Sequence, residues 1–184
     1  MILAGPNGQL ELAIRGYEFP HTKNDWWDSN WLTIRIRARE SGESWERTGP
    51  FLTTFEIEEL ATWFLAVVAE APMINRETLR ESSRQHAPGF PNLRLFDSID
   101  FMEPNLRFAL VERSRDLAGV RVYFELEARP PSAPDQGAGM EDLWIDLNVS
   151  ASDLKAAALT LRSELRAFPI RAAQDSKQPR DGSK

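Results

Sequence analysis

The sequence predicts an α+β fold, with a mostly antiparallel sheet of five to seven strands and two main helices packed on one face. Two observations predict it. Several short segments alternate apolar and polar residues, which is the two-residue period of a half-buried strand, and they lie on both sides of a segment with helical periodicity. A second helical segment follows the last of them and stops at Pro169. Strands interrupted by single helices are typical of α+β domains. We expect one such domain at residues 1–171 and a disordered polar tail at 172–184.

The first two predicted strands lie at residues 9–17 and 32–39. In the first, Leu10, Leu12 and Ile14 share one face. The second has an apolar face and a basic face, and charged groups on a sheet are stabilised by opposite charges on neighbouring strands. A polar, turn-rich loop separates the two strands, and a shorter strand is expected at 45–52. The basic residues and the acidic candidates for pairing with them are Arg35, Arg37 and Arg39, and Glu11, Glu18, Glu125 and Glu127.

Thr53 marks the predicted start of the first helix. Glu56 follows three residues later, and this spacing fits a capping box, in which a hydroxyl and a carboxylate satisfy two backbone N–H groups. Apolar residues then recur at helical spacing through Val68, which predicts an amphipathic helix packed on the sheet. The helix should end by Ala71, because a residue that precedes proline disfavours the helical conformation.

The second half of the chain predicts further strands, a second helix and two irregular connections. Strands are expected at 92–96, 98–102, 106–111, 120–127 and 143–149, the fourth of these pairing with the third through a turn at 116–119. Residues 73–91 are expected to form a surface excursion, and the Pro- and Gly-rich stretch 129–139 a long connection. Ser150 or Ser152 should cap the second helix, whose apolar stripe ends at Phe168.

Composition excludes several classes of function. The 184 residues contain no cysteine, which excludes disulfides, thiolate zinc sites and a cysteine nucleophile. The two histidines, His21 and His86, lie far apart in sequence, which argues against imidazole metal centres and His-dependent hydrolysis. No cofactor-binding motif is visible, so we predict no cofactor. The longest apolar run is far shorter than the roughly 20 residues of a membrane span, and without a visible secretory leader we expect a cytoplasmic location.

The net charge of −6 bears on the partner. An acidic body repels nucleic acid and favours a basic protein partner. The three arginines of the second strand could form a nucleic-acid surface, but cross-strand ion pairing explains them better in an acidic domain. We therefore expect no nucleic-acid partner and no membrane partner.

Two groups of polar residues are candidates for reactive sites. His21, Asp25, Asp28 and Asn30 crowd one loop and offer oxygen ligands for a metal, but their spacing matches no known ligand loop and favours turn formation. Carboxylates at 97, 100 and 103 could supply paired groups for acid–base catalysis, but carboxylates near turns are more often simply solvated. No catalytic residue and no metal ligand is predicted.

Trp26 and Trp27 are adjacent large aromatics in a polar loop, so at least one of them should be exposed. With Asp25 and Asp28 on either side they have the composition of a protein-binding hot spot. A tryptophan that covers the edge of the core is equally common. We take residues 25–28 as the candidate partner-binding site.

Short motifs spread over residues 10–171 resemble the WapI-like immunity proteins, bacterial antidotes encoded beside polymorphic or contact-dependent toxins. The motif residues are Tyr17, Phe19 and Pro20; Asp28, Asn30, Trp31 and Leu32; Leu52 and Thr53 before a Glu-rich helix; Glu103, Pro104, Asn105 and Leu106; and Phe168, Pro169 and Arg171. The resemblance implies a non-enzymatic protein that binds and blocks a cognate toxin domain, and it supplies no catalytic residues. In this interpretation, Asn30 or Glu103 is buried and has a structural role, which is to connect a loop to the end of a strand.

The acidic charge favours a basic nuclease domain as the toxin. The alternative is a small carboxylate-dependent enzyme or ligand-binding domain with its site near residues 97–103. A deep apolar pocket with convergent acids would favour that alternative, and a broad exposed patch would favour the toxin-binding protein. The sequence leaves the oligomeric state open.

Overall fold

The computed structural model describes residues 1–70, 97–114, 116–133 and 143–171. In these ranges eight strands form two four-stranded antiparallel sheets, in the orders β1-β2-β3-β4 and β5-β6-β7-β8, and two helices accompany them. The first sheet contains β1 (Ile2–Ala4), β2 (Gly8–Tyr17), β3 (Trp31–Glu40) and β4 (Glu43–Thr53). The second contains β5 (Ser98–Asp100), β6 (Leu106–Arg113), β7 (Leu117–Phe124) and β8 (Leu143–Ser150). The helices are α1 (Thr54–Val68) and α2 (Ala151–Leu165).

The α+β prediction is confirmed. The strands divide into two sheets, whereas the sequence pattern predicted one sheet of five to seven strands. β1 was not predicted, because three residues are too few for an alternating pattern to be visible. The expected strand at 92–96, the excursion at 73–91, residues 134–139 of the long connection and the tail at 172–184 lie outside the described residues. None of the helices in the described ranges has the length and hydropathy that crossing a bilayer requires.

The register of β2 and β3 separates an apolar face from a charged one. Leu12 lies opposite Ile36 on the buried face, while Glu11 lies opposite Arg37 on the other. Glu11 forms ion pairs with Arg35 and, at 3.9 Å, with Arg37. Arg37 also bonds Glu46 of β4, a partner that the sequence did not predict. Of the predicted acidic partners, Glu11 is therefore confirmed for Arg35 and Arg37, and Arg39 forms no ion pair among the described residues.

The predictions for Glu18, Glu125 and Glu127 as partners of those arginines were wrong. In the described part of the chain Glu18 accepts a hydrogen bond from Thr33 Oγ1 (2.7 Å), and Glu125 lies 3.9 Å from Arg107 of β6. Glu127 follows the end of β7 and forms no ion pair among the described residues. The alternating pattern identifies the face on which a charge lies, but it does not identify the neighbouring strand.

β7 is shorter at its C-terminal end than its sequence pattern predicted. The pattern continues to residue 127, but the strand stops at Phe124 and a 3-10 helix, Leu126–Ala128, follows. Leu126 has a φ of 45°, a left-handed conformation that turns the chain away from the sheet. The β6–β7 turn also lies earlier than expected, since the N–H of Ser114 donates to the carbonyl of Leu117 (2.8 Å).

Both helices begin at the predicted caps. The hydroxyl of Thr53 accepts a hydrogen bond from the N–H of Glu56 (3.3 Å), and the Glu56 carboxylate accepts one from the N–H of Thr53 (2.8 Å). Ser150, rather than Ser152, caps α2 by accepting from the N–H of Asp153 (3.1 Å). The two helices pack against each other.

One hydrophobic core joins both sheets and both helices. Trp45 of β4 packs edge-on against Phe124 of β7, with 5.1 Å between ring centroids. Phe64 of α1 packs in the same way against Phe108 of β6, at 5.8 Å. Outside the core, Arg47 of β4 donates to the carbonyl of Arg129 (2.8 Å), and β8 runs beside β1. The sheets are thus held at a fixed relative position.

Gly5 provides a test of the contact between the sheets. A Cβ atom added there would lie 2.5 Å from the carbonyl oxygen of Asn148 in β8. We expect Gly5→Ala to lower the free energy of unfolding by about 1–3 kcal/mol, because the backbone would have to move. At Gly16 an added Cβ meets no atom within 4 Å, so Gly16→Ala should stay within about 0.5 kcal/mol of the parent. Urea unfolding measures the stability of both variants. Equal unfolding midpoints would contradict the close approach of Gly5 to β8.

Candidate functional site

The candidate partner-binding loop is a short, internally bonded structure. Asp25 Oδ1 accepts hydrogen bonds from the backbone N–H groups of Trp27 and Asp28, both at 2.8 Å. These bonds form the turn that precedes the 3-10 helix Asp28–Asn30, which leads into β3. The Asp25 carboxylate therefore shapes the loop, whereas the Asp28 side chain is exposed.

Trp26 and Trp27 both rest on Phe55 in the first turn of α1. The Trp26 ring is parallel to the Phe55 ring, with centroids 5.7 Å apart, and the Trp27 ring meets it edge-on at the same distance. Trp27 is 44% exposed, while Trp26 is half-buried. The expected division into one covered and one exposed tryptophan is observed. We call residues 25–28 the tryptophan loop.

Buried Asn30 holds the tryptophan loop against two other segments. Its Nδ2 donates to the carbonyl of Trp26 (2.7 Å). Its Oδ1 accepts from the hydroxyl of Thr54 at the start of α1 (3.0 Å) and from the N–H of Arg171 (3.1 Å). The side chain is fully buried, and its bond with Thr54 is shielded from water, while the other two bonds are partly buried.

Arg171 fixes the chain where it leaves β2. Its guanidinium lies 3.3 Å from the centre of the Tyr17 ring and donates to the carbonyls of Phe19 (3.1 Å) and Pro20 (2.9 Å). The Tyr17 hydroxyl in turn donates to the carbonyl of Pro169. These contacts leave the Phe19 side chain 42% exposed on a backbone that is held in place.

A cleft of about 520 Å³ lies between the exit of β2, the start of β3, the end of β4 and the turns on either side of β6 and β7. We call it the acidic cleft, because four of its lining residues carry carboxylates. They are Glu18, Asp28, Glu103 and Glu127. Its lining also includes aromatic rings, a proline and the amide of Asn105; the aromatic residues and the proline are Phe19, Trp31, Phe51 and Pro50.

The carboxylates of the acidic cleft have no counter-ion among the residues that the structure describes. Within the described ranges none of the four forms an ion pair, although Glu18 accepts the hydrogen bond from Thr33. By contrast, Glu46 and Asp146 on the outer faces of the sheets are paired with arginines. The hydrogen bond from Arg37 lowers the pKa of Glu46, and Arg121 donates two bonds to Asp146 (2.7 and 2.9 Å). Uncompensated negative charge is therefore concentrated at the cleft.

Asn105 positions two of these carboxylates. Its N–H donates to the carbonyl of Glu103 (2.8 Å), which closes the turn before β6. Its Oδ1 accepts from the N–H of Glu127 (3.2 Å), and its carbonyl accepts from the N–H of Glu125 (2.9 Å). One nearly buried residue, through its backbone and its side chain, thus brings residues from both ends of the β6–β7 hairpin to the cleft.

The structure does not bring together the carboxylates considered for catalysis. Among Asp97, Asp100 and Glu103, only Glu103 lines the cleft. Asp100 lies 3.8 Å from Arg107, and the carbonyl of Asp97 accepts from Leu110 (2.7 Å). In the ranges described, no group of three or more His, Asp or Glu residues could hold a metal ion.

Sequence reasoning assigned the cleft residues to separate classes. Phe19, Trp31, Glu103 and Asn105 were predicted as structural motif residues and Asp28 as a partner-binding residue, yet all five line one cleft. Glu18 and Glu127 were missed as site residues. The available signal was the pair of asparagine-containing motifs, since a buried asparagine after a turn indicates that the flanking segments are held together.

The protein family described as the immunity protein WapI-like family has a model that matches residues 1–169. The match includes both sheets, both helices and every residue that lines the acidic cleft. No curated protein and no solved structure matches the chain. Arg171, which holds the Phe19 backbone, lies two residues beyond the matched range.

The role of Asn30 can be tested by an isosteric change. Asn30→Asp keeps an acceptor for Thr54 and Arg171, but it buries a carboxylate and places an acceptor against the carbonyl of Trp26. We expect a loss of about 2–4 kcal/mol in the free energy of unfolding. Asn24→Asp makes the same chemical change at an exposed position of the same loop and should cost less than about 0.5 kcal/mol. Similar losses in both variants would show that the side-chain hydrogen bonds of Asn30 do not hold these segments together.

Proposed function

The chain belongs to the WapI-like immunity protein family, and on that basis we propose that it binds and neutralises a cognate bacterial toxin domain through the acidic cleft and the tryptophan loop. Family membership indicates a toxin-immunity role and, with it, a protein toxin as partner. Such a role needs binding and no catalysis. The observation that carries the choice of surface is the group of four carboxylates, without counter-ions in the described part of the chain, around exposed and half-buried aromatic rings.

The aromatic residues suit a binding surface because they are exposed and yet fixed. Trp27 packs edge-on against Phe55, and the backbone of Phe19 is bonded to Arg171. Tryptophan is the residue type most enriched among those that dominate binding energy. A side chain that is already ordered in the free protein loses little conformational entropy when a partner binds.

The charge of the surface supports a basic partner. The protein has a net charge of −6, and the cleft adds a local concentration of negative charge that steers oppositely charged proteins towards it. A nuclease domain has a basic groove for its substrate, so an acidic surface placed over that groove would block it. This is the toxin class that we favour. The same charge disfavours nucleic acid as the direct partner.

The convergence of the four carboxylates also favours a second function, a small ligand-binding or carboxylate-dependent catalytic domain. The acids converge at the acidic cleft rather than at residues 97–103. Its rim includes the exposed side chains of Asp28 and Phe19, and catalysis would need a bound substrate shielded from water. We therefore place this function behind toxin binding.

Copurification with the toxin domain encoded beside this gene tests the proposal directly. We expect a one-to-one complex and loss of the toxin's activity when the complex is saturated. The association rate should fall as the salt concentration rises, with little change in the dissociation rate, because salt screens long-range attraction. A toxin that stays active, or that forms no complex at micromolar concentrations, would refute the proposal. Saturable binding of a small ligand at the acidic cleft under the same conditions would favour the second function.

Trp27 offers a prediction with a matched control. We expect Trp27→Ala to weaken toxin binding about 30-fold, or about 2 kcal/mol, as an exposed aromatic anchor does. The free energy of unfolding should change by less than about 1 kcal/mol, since the side chain is largely at the surface. Trp144 is similarly exposed, at 42%, on the outer face of the second sheet. Trp144→Ala should leave toxin affinity unchanged, and equal effects of the two substitutions in a calorimetric titration would argue against the tryptophan loop.

A further inference from the structure

We infer that the acidic cleft receives an arginine side chain of the toxin, with the guanidinium between the carboxylates and the aromatic lining and with the Asn105 amide donating to a carbonyl of the same segment. The inference rests on the proposed function and names the chemical group that the cleft recognises. Three independent features of the cleft support it.

The first feature is the absence, among the described residues, of a cation paired with these carboxylates. Several arginines of the sheets are paired with other carboxylates, as Arg35 is with Glu11 and Arg121 is with Asp146. The four carboxylates of the cleft have no such partner within the described ranges. A guanidinium that enters from outside would form the first charge-assisted hydrogen bonds there, and its planar fork can bond two carboxylate oxygens at once.

The second feature is the aromatic lining. Phe51 is almost completely buried at the cleft, while Trp31 is half-buried and Phe19 is exposed. A guanidinium stacks on aromatic rings more readily than an ammonium does, because it is planar and weakly hydrated. The lining therefore favours arginine over lysine.

The protein itself uses this arrangement repeatedly. Arg107 lies 3.5 Å from the centre of the Tyr123 ring, and Arg121 lies 4.7 Å from that of Trp144. Both guanidinium groups also face carboxylates, those of Asp100 and Asp146. An arginine held between an aromatic ring and a carboxylate is thus compatible with the spacing of groups on these sheets.

The third feature is the side-chain amide of Asn105, which lines the cleft and is 4% exposed. Its Oδ1 must face the N–H of Glu127, which fixes the orientation of the amide. Its Nδ2 donates to no group in the described part of the chain. Because Asn105 lines the cleft, this N–H group is available to a ligand that carries an acceptor. The backbone carbonyl beside an arginine side chain is such an acceptor.

The cleft also has a suitable size. Its volume of about 520 Å³ lies within the usual range of about 300–1,000 Å³ for sites that enclose a small ligand. One side chain with its adjoining backbone is a ligand of that class.

Binding of Nα-acetyl-argininamide, followed by ¹⁵N–¹H NMR, tests the inference on the free protein. We expect saturable shifts of the Trp31 indole and Asn105 side-chain amide signals, with a dissociation constant in the millimolar range. The citrulline analogue has nearly the same shape and no charge, so it should bind at least about tenfold more weakly. Equal binding of the two compounds, or shifts that avoid these two signals, would overturn the inference.

Two double variants separate the cleft from the general charge of the protein. Glu103→Gln with Glu127→Gln removes two cleft charges without breaking a described side-chain hydrogen bond. Glu43→Gln with Glu112→Gln removes two exposed charges elsewhere. We expect the first pair to weaken arginine binding at least about fivefold and the second to leave it within about twofold, because distant surface charges are screened. Equal effects of the two pairs would overturn the inference.

The same variants distinguish this inference from the proposed function. If the toxin binds the parent protein but the arginine probe does not, the inference is overturned and the immunity function stands. If the arginine probe binds at the cleft but the neighbouring toxin does not bind, the proposed function fails and the cleft remains an arginine-binding site. If the cleft pair weakens both arginine and toxin binding while the control pair weakens neither, both are supported.

Discussion

The buried amide of Asn30 is the interaction on which the candidate site depends. Its nitrogen holds the tryptophan loop through the carbonyl of Trp26, and its oxygen holds the start of α1 and the segment at Arg171. Only a side chain with both a donor and an acceptor can satisfy these groups at once, which excludes aspartate and leucine as equivalents. Because Trp26 and Trp27 also pack on Phe55 of the same helix, the loop and the helix form one rigid unit.

Asn105 repeats this device on the second sheet. Each asparagine lies at or beside the start of a strand, follows a short turn and uses its side chain to bond backbone from a distant segment. The walls of the acidic cleft, which come from separate parts of the chain, are therefore held by neutral hydrogen bonds and packing. Had they been held by ion pairs, the carboxylates would have been neutralised within the protein. Neutral hydrogen bonds and packing keep the shape of the cleft fixed and leave its negative charge available to a partner.

The alternating patterns predicted most strand positions, and local rules predicted the caps at Thr53 and Ser150, because both signals reside in neighbouring residues. The division into two sheets could not be predicted, since a two-residue period identifies the buried face of a strand but not the strand beside it. The site was only partly predictable for the same reason. The tryptophan loop is visible as one stretch of sequence, whereas Glu18 and Glu127 are 109 positions apart by their numbering and meet only through the fold.

The shape of the cleft is therefore set by neutral hydrogen bonds and packing, whereas its charge comes from the carboxylates. In the proposed complex, this separation would allow a small surface to bind a toxin both quickly and tightly. Like charges gathered in a cleft repel one another and are unfavourable in the free protein. A basic partner would relieve that repulsion. Part of the favourable binding free energy would therefore be the electrostatic repulsion that is present in the unbound protein and lost on binding. The loops that carry the charges are ordered beforehand by Asn30, Asn105 and Arg171, so little conformational entropy is lost on association. In the proposed complex, long-range attraction would govern the rate of encounter, and the fixed aromatic residues would govern the lifetime.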